Sequence, residues 1–218
     1  MSIKYQHQEA FNDKWIVEKI FPKKRNGYFV DAGANVGIDC SCSYVLEKNL
    51  NWKGICIEAG LTFDKLKKNR SCITVNKALY DDSVKTVEFQ ECQNTWVSGV
   101  ASELDRCFKT YGKDYHVKTE SSIRKVETIT LLDLLNKNKA PNTIEYLHMD
   151  IEGSEKKVLE HYFQHNTKYT ILAMSIEGSE CNELLEKNGY IHVMNPFNTQ
   201  APWEQYFLHP SIANKIQK

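Results

Sequence analysis

The amino-acid sequence predicts an α/β fold, a mostly parallel sheet of about seven strands with helices on both faces and an antiparallel closing strand. Three observations carry that expectation. Short apolar runs alternate with amphipathic ones along most of the chain. The first strong run, Tyr28 to Ala32, passes directly into a glycine-bearing turn. No internal repeat or low-complexity linker interrupts the order. With 218 residues and 41% hydrophobic content, the chain is long enough to bury one sizeable core, so residues 1–218 are expected to form a single domain.

Residues 8–21 place Phe11, Trp15, Ile16 and Ile20 at helical spacing, and Pro22 closes the segment, which predicts an N-terminal helix. Strand-like and helix-like runs then alternate: YFVDA (28–32), a helix from about Gly37 to Lys48, GICIEA (54–59), a helix at 62–69 and SCITVN (71–76). After Ala78 the rhythm breaks. Residues from about 80 to 128 hold one strand-like run, KTVEF, and then a polar stretch with little period. A structureless loop of that length is uncommon inside a compact domain, so the segment is read as an inserted acceptor-binding subdomain or lid. The rhythm resumes with a helix at 129–137, a strand at 144–150, a helix at 154–165, a strand at 169–177, a helix at 182–189 and closing strands at 190–195 and 204–210.

Charge and cysteine usage narrow the setting. Lys plus Arg and Asp plus Glu both number 28, so no global field concentrates the molecule along a nucleic acid or an anionic membrane, and neither is expected as a partner. The seven cysteines, at 40, 42, 56, 72, 92, 107 and 181, include no C-x-x-C pair and read as reduced, mostly buried thiols of a cytoplasmic protein. The opening residues lack a signal-peptide pattern, and no segment approaches the roughly 18 apolar residues of a membrane-spanning helix.

The most informative residues are Tyr28 to Gly37, YFVDAGANVG, a strand, a turn and a helix start. Gly33 lets the chain turn sharply and a ligand approach the backbone, and Gly37 is expected to let the following helix pack on the strand. Asp31 stands immediately before the turn, where a carboxylate suits a cationic ligand rather than a pyrophosphate. Asn35 occupies the place of the second glycine of a dinucleotide fingerprint, so the G-x-G-x-x-G spacing is missing. Glu58 closes the next strand 21 residues beyond Gly37, near the offset at which an acidic residue reaches ribose hydroxyls. An ordinary tight turn with a solvated strand end is the alternative, and it requires both features to coincide by accident.

These residues resemble the FkbM-type methyltransferases, a branch of the class I S-adenosylmethionine-dependent enzymes. The resemblance is carried by Val30-Asp31-Ala32-Gly33-Ala34-Asn35-Val36-Gly37, by Glu58, by Ala78-Leu79, and by Asp150-Ile151-Glu152-Gly153-Ser154-Glu155, and the segment ITLLDLLNK is similar to the family's T-L-D-D-L stretch. Where the family has proline after the acid of the second strand, this chain has Ala59. The resemblance implies a Rossmann-like class I methyltransferase fold and S-adenosylmethionine as cofactor. It further implies that Asp31, Gly33, Ala34, Asn35 and Gly37 line the methionine end, that Glu58 holds the ribose, and that the backbone around Lys77 and Ala78 borders the adenine.

For the chemistry, Asp150 is the first choice as general base or acceptor-orienting group, Glu152 the second and Glu177 the third, since they fall at the carboxyl ends of successive strands. Asp150 and Glu152 share a face if the strand continues that far. An ionised carboxylate beside a sulfonium is expected to keep a low pKa and to act as a weak base unless the acceptor is well oriented. In the alternative, Asp150 holds the cofactor's amino group and Glu152 or Glu155 caps the next helix. The three acids can also take Mg²⁺, but they lack a D-D pair and no metal ligand is assigned. His148 and His192 read as packed strand residues. The function expected is O-methylation of a hydroxyl on a sugar, a glycan or another small molecule, with residues about 92–125 supplying Trp96, Tyr111 and Tyr115 as stacking faces and Asn94, Ser98, Glu103 and His116 as polar contacts. An RNA methyltransferase is one alternative, against which the zero net charge weighs. A non-catalytic nucleotide-binding regulatory protein is the other.

Overall fold

The computed structural model describes residues 3–104 and 121–216. Its elements run α1 (Asn12–Trp15), which continues as a π-helical turn over Ile16–Ile20, then β1 (Tyr28–Ala32), α2 (Tyr44–Leu50), β2 (Lys53–Ile57), α3 (Phe63–Asn69) and β3 (Ile73–Val75). A second group comes next: β4 (Ala78–Leu79), β5 (Thr86–Cys92), β6 (Gly99–Val100) and β7 (Ser121–Ile129). The chain then completes the main layer with α4 (Leu131–Lys137), β8 (Thr143–Met149), α5 (Glu155–His165), β9 (Thr170–Glu177), α6 (Asn182–Lys187), β10 (Ile191–Val193), β11 (Glu204–Leu208) and α7 (Pro210–Ile216).

The main sheet has seven strands in the order β10-β11-β9-β8-β1-β2-β3. The β3-β2-β1-β8-β9 pairs are parallel, and β11 alone runs antiparallel to both of its neighbours, the mostly parallel sheet with one antiparallel strand that the sequence predicts. A parallel sheet must be covered on both faces, and its strands are accordingly apolar on both. Alternation along β1 divides the core in two. Val30, with Ile55, Leu147 and Met174, packs on Leu131 and Leu134 of α4 and on Val158 and Leu159 of α5. Phe29, with Cys56 and Tyr146, packs on Trp15 and Ile16 of the N-terminal helix, on Val45 and Leu46 of α2 and on Leu66 of α3. No helix among the described residues is long and apolar enough to cross a membrane.

Two helix boundaries differ from expectation, each for a local reason. The N-terminal helix begins at Asn12 rather than near residue 8, because Phe11 takes a left-handed φ of 52° that an α-helix cannot accommodate. The helix expected from Gly37 begins only at Tyr44; Gly37 and Cys40 have φ of 78° and 51°, and the intervening loop turns the Ser41 and Ser43 hydroxyls toward Asp31. Gly37 accordingly packs against α3 and the arginine at its end, since a Cβ there would lie 2.5 Å from Leu66 Cδ1 and 2.9 Å from Arg70 Cγ.

The inserted segment is more regular than its sequence indicates. β5 pairs with β7 along its whole length, from Thr86 with Glu127 to Cys92 with Ser121, in a four-stranded sheet ordered β4-β7-β5-β6. Ala78, Tyr80, Val87, Phe89, Val100 and Val126 close a small core beneath it. The strand SSIRKVETI escapes notice because few of its residues are apolar and one of those, Ile123, is exposed. Tyr111, Tyr115, His116 and Cys107 lie outside the described residues.

Gly33 is the position where the two halves of the sheet meet most closely. Its φ is +80°, and a Cβ would stand 1.8 Å from the carbonyl oxygen of Asp150, an approach only glycine allows. Gly33→Ala is expected to cost about 2–4 kcal/mol through forced backbone displacement. Urea denaturation checks this, and a loss under about 1 kcal/mol would show that the turn is free to move.

Candidate active site

Strand order reverses between β1 and β8, and in open α/β sheets the crevice outside the carboxyl ends at such a switch point is where ligands bind. A cavity of about 400 Å³ opens there. Asp31, Gly33, Ala34, Asn35, Glu58 and Ala78 line one end, and Asp150, Glu152 and Glu177 line the other. Gly37 does not reach its wall and lies behind it, against α3.

At the first end the turn after β1 is stitched to the tip of β2. Gly33 and Ala34 N–H donate to the Ile57 carbonyl at 3.1 and 3.2 Å. Asn35 N–H donates to Glu58 Oε2 at 2.7 Å, and Gly60 N–H to Glu58 Oε1 at 2.5 Å. Burial raises the Glu58 pKa above the ordinary carboxylate range; the two N–H donors oppose this, Glu91 adds to it and Arg124 opposes it. Arg124 on β7 binds Glu91 through Nε at 2.6 Å and also donates to the Ala59 carbonyl, so the inserted sheet braces the Glu58 corner. Asn35 is buried with φ of 44°; its Nδ2 donates to Thr95 Oγ1 at 3.3 Å, and its Oδ1 has no partner.

Asp31 is nearly inaccessible, at 2% exposure. Its Oδ2 accepts a short hydrogen bond from Ser43 Oγ and a long one, 3.5 Å, from Ser41 Oγ. Behind the serines lies Arg70, its side chain fully buried and its Nε 2.7 Å from Glu47 Oε2. Burial works against the Glu47 charge, yet Lys48 and Arg70 hold the carboxyl down at about 2.

At the other end, β8 stops at Met149 and the chain turns at once. Asp150 and Glu152 therefore do not share a strand face; Glu152 at φ 60° and Gly153 at φ 101° curl it back toward Asp150. Glu155 holds this turn rather than capping the helix, its Oε1 accepting Ile151 N–H at 2.7 Å and its Oε2 accepting Gly153 N–H at 2.9 Å. Asp150, Glu152 and Glu177 each bring a carboxylate oxygen to within 4.8 Å of the others, a grouping that could hold a metal ion. Burial, then the charges of Glu177 and Glu152, push the Asp150 pKa far above the usual range; burial, then Glu177 and Glu155, do the same for Glu152. Burial and mutual crowding in the cluster thus act against the low pKa expected of a carboxylate beside a sulfonium.

Beside the cluster stand further groups, of which Glu204, His7 and Trp203 are not singled out by the sequence. Glu204, from the antiparallel β11, accepts from Asn12 Nδ2 at 2.6 Å. Burial, against the Asn12 bond and with the Glu177 charge, raises its pKa to about 8. His148 shares a hydrogen bond with Ser175 Oγ at 2.9 Å and lies 3.6 Å from Glu204; burial lowers its basicity, so this contact is dipolar rather than an ion pair. His7 is pushed down to about 3 by burial and then by His148. Trp96 and Trp203 line the cavity with half of each ring exposed, and Asn94 and Ser98 line it too. Glu103 is not on the wall, because Tyr80 Oη and Lys157 Nζ take its carboxylate at 2.7 and 2.8 Å. His192 stacks on Phe207 and does not line the cavity.

Glu204 makes the cost of this acidity measurable. An unfolded glutamate ionises near about pH 4.3, whereas the folded one keeps its proton to about 8. Between those values the folded chain binds more protons than the unfolded one, so this group's contribution to stability falls as pH rises through the window. Glu204→Gln keeps the acceptor for Asn12 and removes the ionisation. It is expected to stabilise the fold by about 1–3 kcal/mol at pH 8 and by little at pH 5. Melting curves at the two pH values decide it, and an equal effect at both would refute the burial argument.

The methyltransferase FkbM domain model matches residues 31–194. No curated protein matches the sequence. Among solved structures, a METTL16 MTase domain (crystal form 2) is 15% identical with a TM-score of 0.45, the match covering 90% of this chain and 64% of that one. The delta-N METTL16 MTase domain is 12% identical at 0.43, covering 90% and 78%. A human methyltransferase 10 domain containing protein is 13% identical at 0.39, covering 91% and 77%. This chain thus spans under two thirds of the first of these structures. The family match begins at Asp31, the acid before the turn, and continues past the Asp150 and Glu177 strand ends: the chain belongs to the methyltransferase FkbM domain family.

Proposed function

We propose that this S-adenosylmethionine-dependent methyltransferase transfers its methyl group to a hydroxyl of a sugar, a glycan or another small molecule. The observation that supports this most is the buried Asp150–Glu152–Glu177 cluster at one end of the cavity. A hydroxyl acceptor must lose a proton as it is methylated, and three crowded carboxyls cannot all stay ionised, so the basicity of the set moves toward neutral pH, where a general base is most useful.

The opposite end fits the cofactor. Gly33 leaves the space that a Cβ would fill, Asn35 Oδ1 is buried without a partner, and Asp31 and Glu58 offer carboxylates suited to an ammonium or sulfonium and to ribose hydroxyls. When bound, S-adenosylmethionine supplies an electrophilic methyl group on a sulfonium centre. Asp31, Gly33, Ala34 and Asn35 would hold its methionine end, Glu58 its ribose and the Ala78 backbone its adenine. Asp150 accepts or orients the acceptor proton, and Glu152 and Glu177 keep it basic by crowding it. Trp96 offers an apolar face to a sugar ring and Asn94 and Ser98 offer polar edges. Placement in the cytoplasm rests on the buried thiols of Cys42, Cys56 and Cys181. The convergence of the three carboxylates favours one second reading, in which a divalent cation on the cluster binds the acceptor oxygen.

Glu58→Ala is expected to weaken S-adenosylmethionine by about 1–3 kcal/mol, through loss of charge-assisted hydrogen bonds. Calorimetry against S-adenosylmethionine and NAD measures it; unchanged affinity would remove Glu58 from the ribose site, and binding of NAD alone would overturn the cofactor assignment. In a screen of free, nucleotide-linked and oligomeric sugars, Asp150→Asn is expected to reduce methyl transfer at least about tenfold while the fold persists. Methylation appearing instead on RNA or on protein nitrogen would defeat the proposal. Added EDTA is expected to leave turnover unchanged, and a loss restored by Mg²⁺ would establish the cation reading in its place.

A further inference from the structure

Asp31 is a buried carboxylate with no basic group bonded to it directly among the described residues, and burying a carboxylate without compensation is costly. The compensation comes at one remove. Arg70 Nη2 donates to Ser43 Oγ at 2.9 Å, and Arg70 Nη1 donates to Ser41 Oγ at 3.2 Å and to the Gly37 carbonyl at 3.2 Å. A guanidinium can only donate. Each serine oxygen that accepts from it must therefore send its single proton elsewhere, and Asp31 Oδ2 is the acceptor that both hydroxyls meet. The arginine is fixed in turn by Glu47, and the missing Cβ of Gly37 leaves room for its stem.

We propose that Arg70 is a positioning residue for the cofactor, acting through Ser41 and Ser43 to hold the Asp31 carboxylate turned so that one oxygen is committed to the serines and the other is left for the methionine end of S-adenosylmethionine. This rests on the cofactor reading given above. Arg70 does not line the cavity. It lies at the end of α3, outside every motif that marks the cofactor turn, and it explains why the loop between Gly37 and Tyr44 is not helical: a helix there would withdraw the serines from the relay.

The test is a set of binding measurements on the full chain with S-adenosylmethionine, by calorimetry and, for weak binding, by ligand-observed NMR. Arg70→Gln is expected to weaken binding at least fivefold, and Ser43→Ala to weaken it by a comparable factor. Both effects should shrink to under twofold in an Asp31→Asn background, because Asp31 is the only route by which either reaches the ligand. A merely structural role would cost the same factor with or without the Asp31 charge, and that result overturns the proposal, as does native affinity in a folded Arg70→Gln protein. If Arg70→Gln does not fold, Ser43→Ala and its Asp31→Asn double variant decide the question alone, since they leave the arginine and its Glu47 pair in place. Absence of binding by the wild-type chain would strike the cofactor reading itself, a failure distinct from binding that the variants leave unaltered.

Discussion

The backbone of the β1 turn touches the backbone at the end of β8, and most of the site depends on that contact. Because Gly33 sits where a side chain would strike the Asp150 carbonyl, the two strands part only beyond this point, and the space they leave is the cavity. The Asp150 N–H bond to the Ala32 carbonyl, at 3.1 Å, is the last rung of the ladder before they separate. Asp31 and Asp150 thus end up on either side of one short seam. Asp31, before the turn, and the carboxylates that follow β8 are thereby neighbours on one cavity wall.

What the sequence reveals of this arrangement is what is local. The turn from Val30 to Gly37, the acid ending β2 and the acids after β8 are each contained within a few residues, and strand periodicity places them at one edge of a sheet. Contacts between distant segments leave no such trace. The Arg70 relay spans 27 to 33 positions and uses residue types that, in a single sequence, look like an ordinary helix end and an ordinary helix start. The β5–β7 ladder joins strands on either side of a long polar stretch, and although KTVEF marks the first of them, β7 carries too little apolar alternation to be seen alone. The turn that brings Glu152 back to Asp150 depends on a left-handed backbone at a glutamate, which no propensity rule anticipates.

Two different electrostatic solutions operate at the two ends of the cavity. Around Asp31, burial is offset by a fixed cation acting through hydroxyls, the kind of hydrogen-bonded network that is stable only when every member is satisfied. Around Asp150, no cation faces the cluster among the described residues that line the cavity near it, and burial together with the neighbouring carboxylates pushes its pKa upward.

The strand that carries Glu204 also ties the beginning of the chain to its end. Asn12 Nδ2 reaches Glu204, Tyr206 Oη reaches Asn12 Oδ1 at 2.8 Å, and Asn195 Nδ2 reaches the Ala10 carbonyl at 2.8 Å. These bonds span 185 to 194 residues, so during synthesis the N-terminal helix leaves the ribosome long before these three partners exist. Asn12, inaccessible in the finished protein, lacks these partners, and Trp15 lacks its edge contact with Tyr206, until β11 has been made. Loop closure over such a span is entropically slow. Because His7 and Trp203 both line the cavity, its wall is complete only once these two distant segments have come together.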